Sequence, residues 1–451
     1  MRRVLAALAF LAVAASGQWL ETTVYLPDSL GRPSDRQALA YNSVDDKVYV
    51  GCDSGVAVLS GATNQQVAWH RTSSVVSALA YNQQENKVYV ASTFVDSVSV
   101  IDGATNALVA TIPVGRWTLR FTCNPLNNRV YCTDNWDSLV AVIDGAGDSV
   151  VATASARYTP WASCCNTRNN KVYVANYERH CVTVIDCAGD TAAAEIRSGS
   201  HPSALCYNPQ DNKVYCANGM DATVTVIDGA SNGVLATLKP DVGPYALCYN
   251  PRENKVYVAN ARDSTVTVID GERDTVVASV AVGSVPRSLC YNAANNKVYC
   301  VNTVSNDVTV IDGATNKALV TIGVGDQPVE LVWNPAENRV YVASRQGSSV
   351  SVLRDSMPAA VSEMMSDECG TMNVRTTLAR NTLVLPVSPF TLYYSLFNLT
   401  GRKVLDLKPG ANDVSRLAPG VYFVVTSSPF SSPPEGVRCQ DIGNRLLSGH
   451  R

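Results

Sequence analysis

Apolar and polar residues alternate along most of the chain in runs of five to seven, with small polar turns between them. In residues 254–271, NKVYVANARDSTVTVIDG, the runs KVYV and STVTVID place Val, Tyr, Ile and Thr at alternate positions, a period that predicts half-buried β-strands. The frame recurs as DKVYVGCDSGVAVLSG from Asp46, NKVYVASTFVDSVSVIDG from Asn86, NRVYCTDNWDSLVAVIDG from Asn128 and NKVYVANYERHCVTVIDC from Asn170. It continues as NKVYCANGMDATVTVIDG from Asn212, NKVYCVNTVSNDVTVIDG from Asn296 and NRVYVASRQGSSVSVLRD from Asn338, which makes eight copies.

The Lys/Arg-Val-Tyr motifs start at residues 47, 87, 129, 171, 213, 255, 297 and 339, a spacing of 40 once and 42 six times. A repeat of that length built from strands alone predicts propeller blades of four strands each. In one copy, strand A is SLCYN from Ser288, B is KVYCVN from Lys297, C is DVTVIDG from Asp307 and D is KALVTIG from Lys317. N-P-x-x-N-K between A and B, and D-G-A-T-N between C and D, are turn sequences, because Pro presets one dihedral while Asn, Asp and Gly tolerate left-handed geometry. The last repeat, 328–354, has A, B and C but no D, whereas ETTVYLP at 21–27 precedes the first strand A and has no blade of its own. Joining the two closes a ring and hides two sheet edges. The expected fold is therefore all-β: an eight-bladed β-propeller over 18–355, closed by an N-terminal strand. Seven blades is the alternative, should the degenerate stretch 60–70 form no blade.

The VYVAN and VTVIDGATN runs resemble the YVTN family of β-propellers over about 21–354. That resemblance implies the fold. The activities it brings into view differ widely, since surface-layer proteins, lactonase-like propellers and the haem d1 domain of a nitrite reductase share the architecture.

After Arg354 the period stops. Residues 356–372 have linker composition, and strands resume over 373–426 at NVRTTLA, NTLVLPV, TLYYSLFNLTG, RKVLDL and GVYFVV, as expected of a small β-sandwich. LFNLTGRKVLDLKPGANDVSRLAPGVYFV, 396–424, resembles the type A C-terminal sorting domain of the type IX secretion system, which implies an address read by outer-membrane secretion machinery. Members of that family end in a further basic-apolar strand soon after GVYFV; here the chain runs on through SSPFSSPPEGVRCQDIGNRLLSGHR, read as an irregular tail over 427–451.

Composition narrows the setting. Residues 1–17 place Arg2 and Arg3 before an apolar run from Val4 to Ala15 and then small residues, a secretory signal peptide too short to span a bilayer. No other segment approaches about eighteen apolar residues, so no membrane-spanning segment is expected. The expected location is secreted or on the outer-membrane surface of a bacterium. A net charge of -3 gives no basic field for a phosphate backbone, which argues against nucleic acid as a partner. The 14 cysteines alternate with Ala and Val at equivalent repeat positions, as buried thiols packing like small apolar groups would. Cross-strand bridges Cys206–Cys216 and Cys290–Cys300 are the other reading, as expected of an exported chain.

Chemistry has to be sought where the repeats differ. The A–B and C–D turns of one face are near-copies, and Asp102, Asp144, Asp186, Asp228, Asp270 and Asp312 there are explained by turn bonding. On the opposite face, the B–C loops and D-to-A crossings of the third and fourth blades carry Arg116, Trp117, Arg120, Trp136, Trp161, Tyr177, Arg179 and His180, including half of the six tryptophans. Exposed aromatic and Arg side chains anchor recognition, and these eight residues are the expected ligand-binding set. Filling of gaps between blades is the structural alternative for the rings. His70, His180 and His201 are placed on the same variable face, without the carboxylate or Cys spacing of a metal set. No G-x-S-x-G, H-E-x-x-H or phosphate loop occurs. No metal, cofactor or catalytic set is assigned. The favoured function is a non-enzymatic exported scaffold binding a protein, glycan or small ligand. A lactonase-like or cofactor-binding enzyme with its site at the axial mouth, and a purely structural surface-layer component, are the alternatives. For the enzyme, the residues following the crossings (Gln37, Ser77, Leu119, Trp161, Ser203, Tyr245, Arg287, Val329) offer no acid–base set.

Overall fold

The computed structural model describes residues 18–34, 37–115 and 117–355 in full, and the backbone of strands within 377–449. The expected signal peptide and linker lie outside the described residues.

Eight four-stranded antiparallel sheets span 39–71, 76–113, 118–155, 160–197, 202–238, 244–281, 286–323 and 328–354, the last completed by Trp19–Tyr25. The N-terminal strand pairs antiparallel with Ser349–Arg354, setting Thr23 against Ser351 and Tyr25 against Ser349, so it supplies the missing strand D of blade 8. Gln66–Arg71 is a true strand D in blade 1, which removes the seven-bladed alternative.

The Tyr of every Lys/Arg-Val-Tyr motif is fully buried. In six blades its hydroxyl reaches the carbonyl of the C–D turn in the next blade: Tyr173 to Gly229 at 3.3 Å, Tyr215 to Gly271 at 3.2 Å, and Tyr341 of blade 8 to Gly61 of blade 1 at 3.1 Å. The preceding Lys joins it, with Lys213 Nζ donating to Gly271 O, Glu272 O and Asp274 Oδ2 at 2.9, 3.0 and 2.8 Å. A second belt runs through the A–B turns, where the Asn ending strand A donates to the turn Asn of the next blade. It passes Asn82–Asn128, Asn124–Asn170, Asn166–Asn212 and Asn208–Asn254 at 2.8–3.0 Å. Asn334 to Asp46 at 2.7 Å closes it across the blade 8–blade 1 seam. Between these belts the Val and Ile side chains of facing blades meet, as in the cluster of Tyr131, Val140, Val142, Val172 and Val174. Each fully buried Val or Ile there contributes about 1.5–3 kcal/mol relative to leaving it exposed.

The ring is sealed by charge as well as by strand pairing. Glu21 on the N-terminal strand accepts from Arg339 Nε and Nη2, both at 2.7 Å, and from Arg354 Nε at 3.0 Å.

The twelve described cysteines are free thiols. Leu205 pairs with Cys216 and Leu289 with Cys300 across strands A and B, so Cys206 and Cys290 project from the other face of their sheets. The register therefore excludes the bridges Cys206–Cys216 and Cys290–Cys300. Burial pushes the Cys206 and Cys290 thiols up to about 12. Native protein should therefore leave these two thiols unmodified by iodoacetamide over hours at pH 8 and modify them on denaturation; rapid native labelling, read by peptide mass spectrometry, would show that the thiols are reachable.

Beyond residue 355 a separate unit contains a three-stranded sheet of Thr377–Ala379, Thr382–Leu385 and Gly410–Asp413. It also contains a four-stranded sheet ordered Lys403–Leu407, Tyr393–Asn398, Gly420–Ser427 and Asn444–Gly449. The last of these strands lies within the stretch read from sequence as an irregular tail: NRLLSG pairs antiparallel along Gly420–Ser427.

Candidate functional site

The two faces divide as the turns require. Asp102, Asp144, Asp186, Asp228, Asp270 and Asp312 each accept a hydrogen bond from a backbone N–H within their own C–D turn, at 2.6–3.1 Å. The side-chain and backbone bonds from Thr105 hold the Asp102 carboxyl below the usual carboxylate range. These six serve the turns.

On the opposite face the B–C loops bond to the crossings: Tyr177 N to Thr159 O and Gly219 N to His201 O, both 3.0 Å. At the junction of blades 4 and 5 the side chains form a continuous stack. Trp161 stacks on Tyr177 with centroids 5.0 Å apart and planes inclined by 29°, Tyr177 meets His201 edge-on at 4.6 Å, and His201 meets His180 at 4.7 Å. His180 Nδ1 accepts from the His201 backbone N–H at 3.1 Å.

The crossing that supports this stack is strained. The residue before strand A is left-handed in several blades, including Trp117, His201, Val285, Gln327 and Gly243. In the crossing into blade 4, Arg157, Tyr158 and Thr159 are all left-handed, with φ of 50°, 67° and 47°. Three consecutive L-residues in that region cost about 1–2 kcal/mol each, and Tyr158 remains 65% exposed. Such strain concentrates where function fixes the backbone.

Strand A opens in most blades with a β-bulge, the register shifting between Thr118 and Arg120, Pro160 and Ala162, Pro286 and Ser288, and Pro328 and Glu330. Bulges re-aim side chains, and the bulge residues Trp161, Ser203, Tyr245 and Arg287 line a cavity of about 210 Å³ on the propeller axis with Gln37, Arg120 and Glu330. Arg287 sits over the Tyr245 ring at 5.5 Å, and its Nε donates to the Tyr245 hydroxyl at 3.3 Å. Glu330 accepts from the backbone N–H groups of Ala38 and, at 3.3 Å, Leu39. Glu330 is half-buried and lines this cavity. Burial pushes its carboxyl up to about 7, against the opposing pull of Arg120 and the two N–H donors.

The expected ligand set is thus distributed unevenly. Trp161, Tyr177 and His180 meet in the stack, and Arg120 joins Trp161 on the cavity wall. Trp117 instead packs on Phe94 at 5.3 Å, at the junction of blades 2 and 3. Trp136 is 64% exposed, its backbone N–H held by Asp134 Oδ1 at 3.0 Å, and Arg179 is exposed. Arg116 lies outside the described residues. His70, expected on a variable loop, lies in strand D of blade 1 opposite Val56. Sequence reasoning omitted His201 from the set and assigned no role to Gln37, Glu330, Tyr245 or Arg287. Arg120 and Glu330 could have been found together, because they occupy the strand-A position that holds Ala38, Ala78, Ala162, Ala204 and Ala246 in other blades. Among the described residues, no three His, Cys, Asp or Glu side chains come together in a metal-holding group, and no helix is long and apolar enough to cross a membrane.

The eight blades, the turn-bound plain face and the closed ring now stand beside what is known of other propellers. Residues 126–349 match the YNCE-like β-propeller family. Among solved structures, the chain is similar to hydrazine synthase of Kuenenia stuttgartiensis, with TM-score 0.52 and 20% identity over 62% of this chain and 97% of that one. It is also similar to Sqt1 of Saccharomyces cerevisiae, with TM-score 0.65 and 10% identity over 74% of this chain and 98% of that one. At these identities the likeness is one of fold. No curated protein matches the chain in sequence.

Proposed function

We propose that the chain is an exported, non-enzymatic binding propeller that recognises a protein, glycan or small ligand on its variable face. The observation that carries this reading is Trp161, which belongs at once to the stack with Tyr177 and to the wall of the axial cavity. A ligand on this face would meet a rigid aromatic ledge, an imidazole pair and a polar well in one continuous surface, the combination on which recognition hot spots are built. The strained crossing at 157–159 supports the same face, while the plain face has its polar groups committed to turns and inter-blade bonds.

Resemblance of 396–424 to a type IX sorting domain supports routing by secretion machinery to the outer surface or the medium. Fractionation of the producing cell, with mass spectrometry of the mature ends, tests this routing. Mature protein recovered only from the cytoplasm with Met1 intact would end it.

Recognition itself is tested on glycan and protein arrays with wild type, Trp136→Ala and Trp161→Ala. Both substitutions should weaken every specific signal at least about tenfold, and Trp136→Ala should leave the melting temperature unchanged. Unaltered array binding in both variants would remove the face from the account, and a large fall in the melting temperature of Trp136→Ala would make that ring structural. The enzymatic alternative has one observation in its favour, the convergence of Glu330, Arg120 and Arg287 in the cavity. Lactone turnover or a visible cofactor spectrum from purified protein would establish it over the binding reading.

A further inference from the structure

The imidazole pair at the end of the aromatic stack is built asymmetrically. His180 lies in the B–C loop of blade 4 and His201 in the crossing into blade 5, with ring centroids 4.7 Å apart. His180 Nδ1 accepts from the His201 backbone N–H at 3.1 Å, which leaves the proton of the neutral ring on Nε2. Blade 7 fills the same acceptor position with an amide: Asn306, left-handed like His180 with φ of 57° at both, accepts from the Gln327 N–H through Oδ1 at 2.9 Å. His201 Nδ1 faces the Ser200 hydroxyl at 2.9 Å. A hydroxyl donates to the neutral ring and accepts from the protonated one, so His201 gains a proton without losing a contact, whereas His180 would lose its bond. One proton on the pair therefore goes to His201, and the nearness of the rings opposes a second. In that state both Nε2 atoms are N–H donors. Neither is bonded to a described residue, and neither is sealed from solvent.

We propose that this pair binds a carboxylate of the ligand, with His201 as the cation and His180 as a second, neutral donor, and that acid strengthens the binding. Fixed charges around the pair cancel. The blade 4 loop carries Glu178 and Arg179, and the crossing into blade 4 carries Arg157, paired with Glu195 at 3.4 Å. Arg197 ends strand D of blade 4 opposite Cys181, a buried thiol, and Asp221 stands on the blade 5 loop with both oxygens 2.8 Å from the Ser200 N–H. Three arginines thus face three carboxylates, and His201 decides the local sign. Histidine changes charge between about pH 5 and 8, so a carboxylate meets neutral donors at the alkaline end and a charge-assisted bond at the acid end. Two N–H donors side by side match its two oxygens.

This inference deepens the binding reading and rests on its choice of face, but its test reads the imidazoles directly. The chain has four histidines, so their Cε1–H resonances are assigned in the full-length protein by single substitution. Formate, ionised across the whole range, should move the His180 and His201 signals and leave those of His70 and His450 in place. Its affinity should be about tenfold or more higher at pH 5.5 than at pH 8. Methyl sulfate, a monoanion with a tetrahedral head, should bind more weakly. His201→Asn, which tolerates the left-handed backbone, should abolish the acid enhancement. His180→Asn keeps an acceptor for the His201 N–H, as blade 7 does, and should lose about fivefold in affinity while keeping the pH dependence. Formate affinity that does not change with pH would overturn the proposal. So would acid enhancement that persists in His201→Asn protein of wild-type melting temperature, or methyl sulfate bound as tightly as formate. Should formate fail while Trp161-dependent array binding persists, the imidazole proposal alone falls. Should array binding fail while formate binds as described, the recognition face falls and the carboxylate site stands.

Discussion

Glu21→Ala should cost the propeller about 3–5 kcal/mol of stability, the range expected when one member of a buried ion pair is removed. Glu21 is the only carboxylate that the N-terminal strand supplies to the seam, and it faces Arg339, whose side chain is 6% exposed, and Arg354, 18% exposed. Removing it leaves the two guanidinium groups with only the more distant Glu337, 3.6 Å from Arg339 Nη1 and 3.9 Å from Arg354 Nη2. The strand Trp19–Tyr25 would then hold to the rest of blade 8 by its backbone bonds and by the packing of Trp19, Leu20 and Val24. Denaturant unfolding followed by tryptophan fluorescence measures the loss; a change below about 1 kcal/mol, typical of exposed pairs, would show that the seam does not depend on this cluster.

The same cluster gives a pH dependence with a definite sign. Burial raises the Glu21 pKa, but the hydrogen bonds from Arg339 and Arg354 outweigh it and hold the carboxyl below its ordinary 4.5. A group whose folded value is depressed stabilises the fold fully above its unfolded value and loses that contribution as pH falls through the folded one. Wild-type stability should therefore carry the Glu21 contribution at pH 6 and lose it progressively below about 4.5, whereas Glu21→Gln should lack that part of the acid dependence.

Lys213→Met is expected to cost about 2–4 kcal/mol, because it removes three hydrogen bonds at once and leaves Asp274 without its cation. Lys213 is 12% exposed and Asp274 15%. Tyr215 also donates to Asp274 Oδ1 at 2.8 Å, so the carboxylate is held in place to face an empty position. Blades 2, 5 and 7 show how the turn works without charge, since Asn106, Asn232 and Asn316 stand at that position and accept from Lys47, Lys171 and Lys255. Asp274→Asn should accordingly cost less than about 1 kcal/mol, and the double variant should be more stable than the sum of the single losses predicts. Strict additivity in that cycle would mean that the two groups do not interact.

These contacts explain which parts of the molecule could be read from sequence. Strand positions were legible because Val, Ile, Tyr and Thr alternate within each copy. Ring closure was legible because 21–27 is a strand without a blade and 328–354 a blade without its outer strand. What Lys and Tyr of the Lys-Val-Tyr motif do was not legible. In blades 1 to 7 their partners lie 54–61 residues away in the next blade, for example Tyr215 to Gly271 and Lys213 to Asp274, and a motif shows no trace of a contact one period ahead. The thiols show the reverse case. Their exchange with Ala and Val marked them as apolar packing, and the register of Leu205 on Cys216 then excluded the alternative.

For the site, the difference between repeats located the face and left its organisation open. Trp161, Tyr177 and His180 converge because a crossing and a B–C loop meet at one blade junction. Trp117 lies at another junction, beside Phe94. The axial mouth was weighed only through the residue directly after each crossing, and that set showed no acid–base pair. The bulge brings both that residue and the next onto the axis, so Arg287 is joined by Arg120 and Glu330 from the neighbouring position.

The central claim is that the N-terminal strand is a structural member of blade 8, and amide hydrogen exchange along it is the most direct measurement. The account predicts that the amides of Trp19–Tyr25 that bond to Ser349–Arg354 exchange as slowly as those of blade 8, and that they are released together with that blade on Glu21→Ala. Exchange at the rate of an unstructured peptide throughout 19–25, with Ser349–Arg354 still protected, would contradict it.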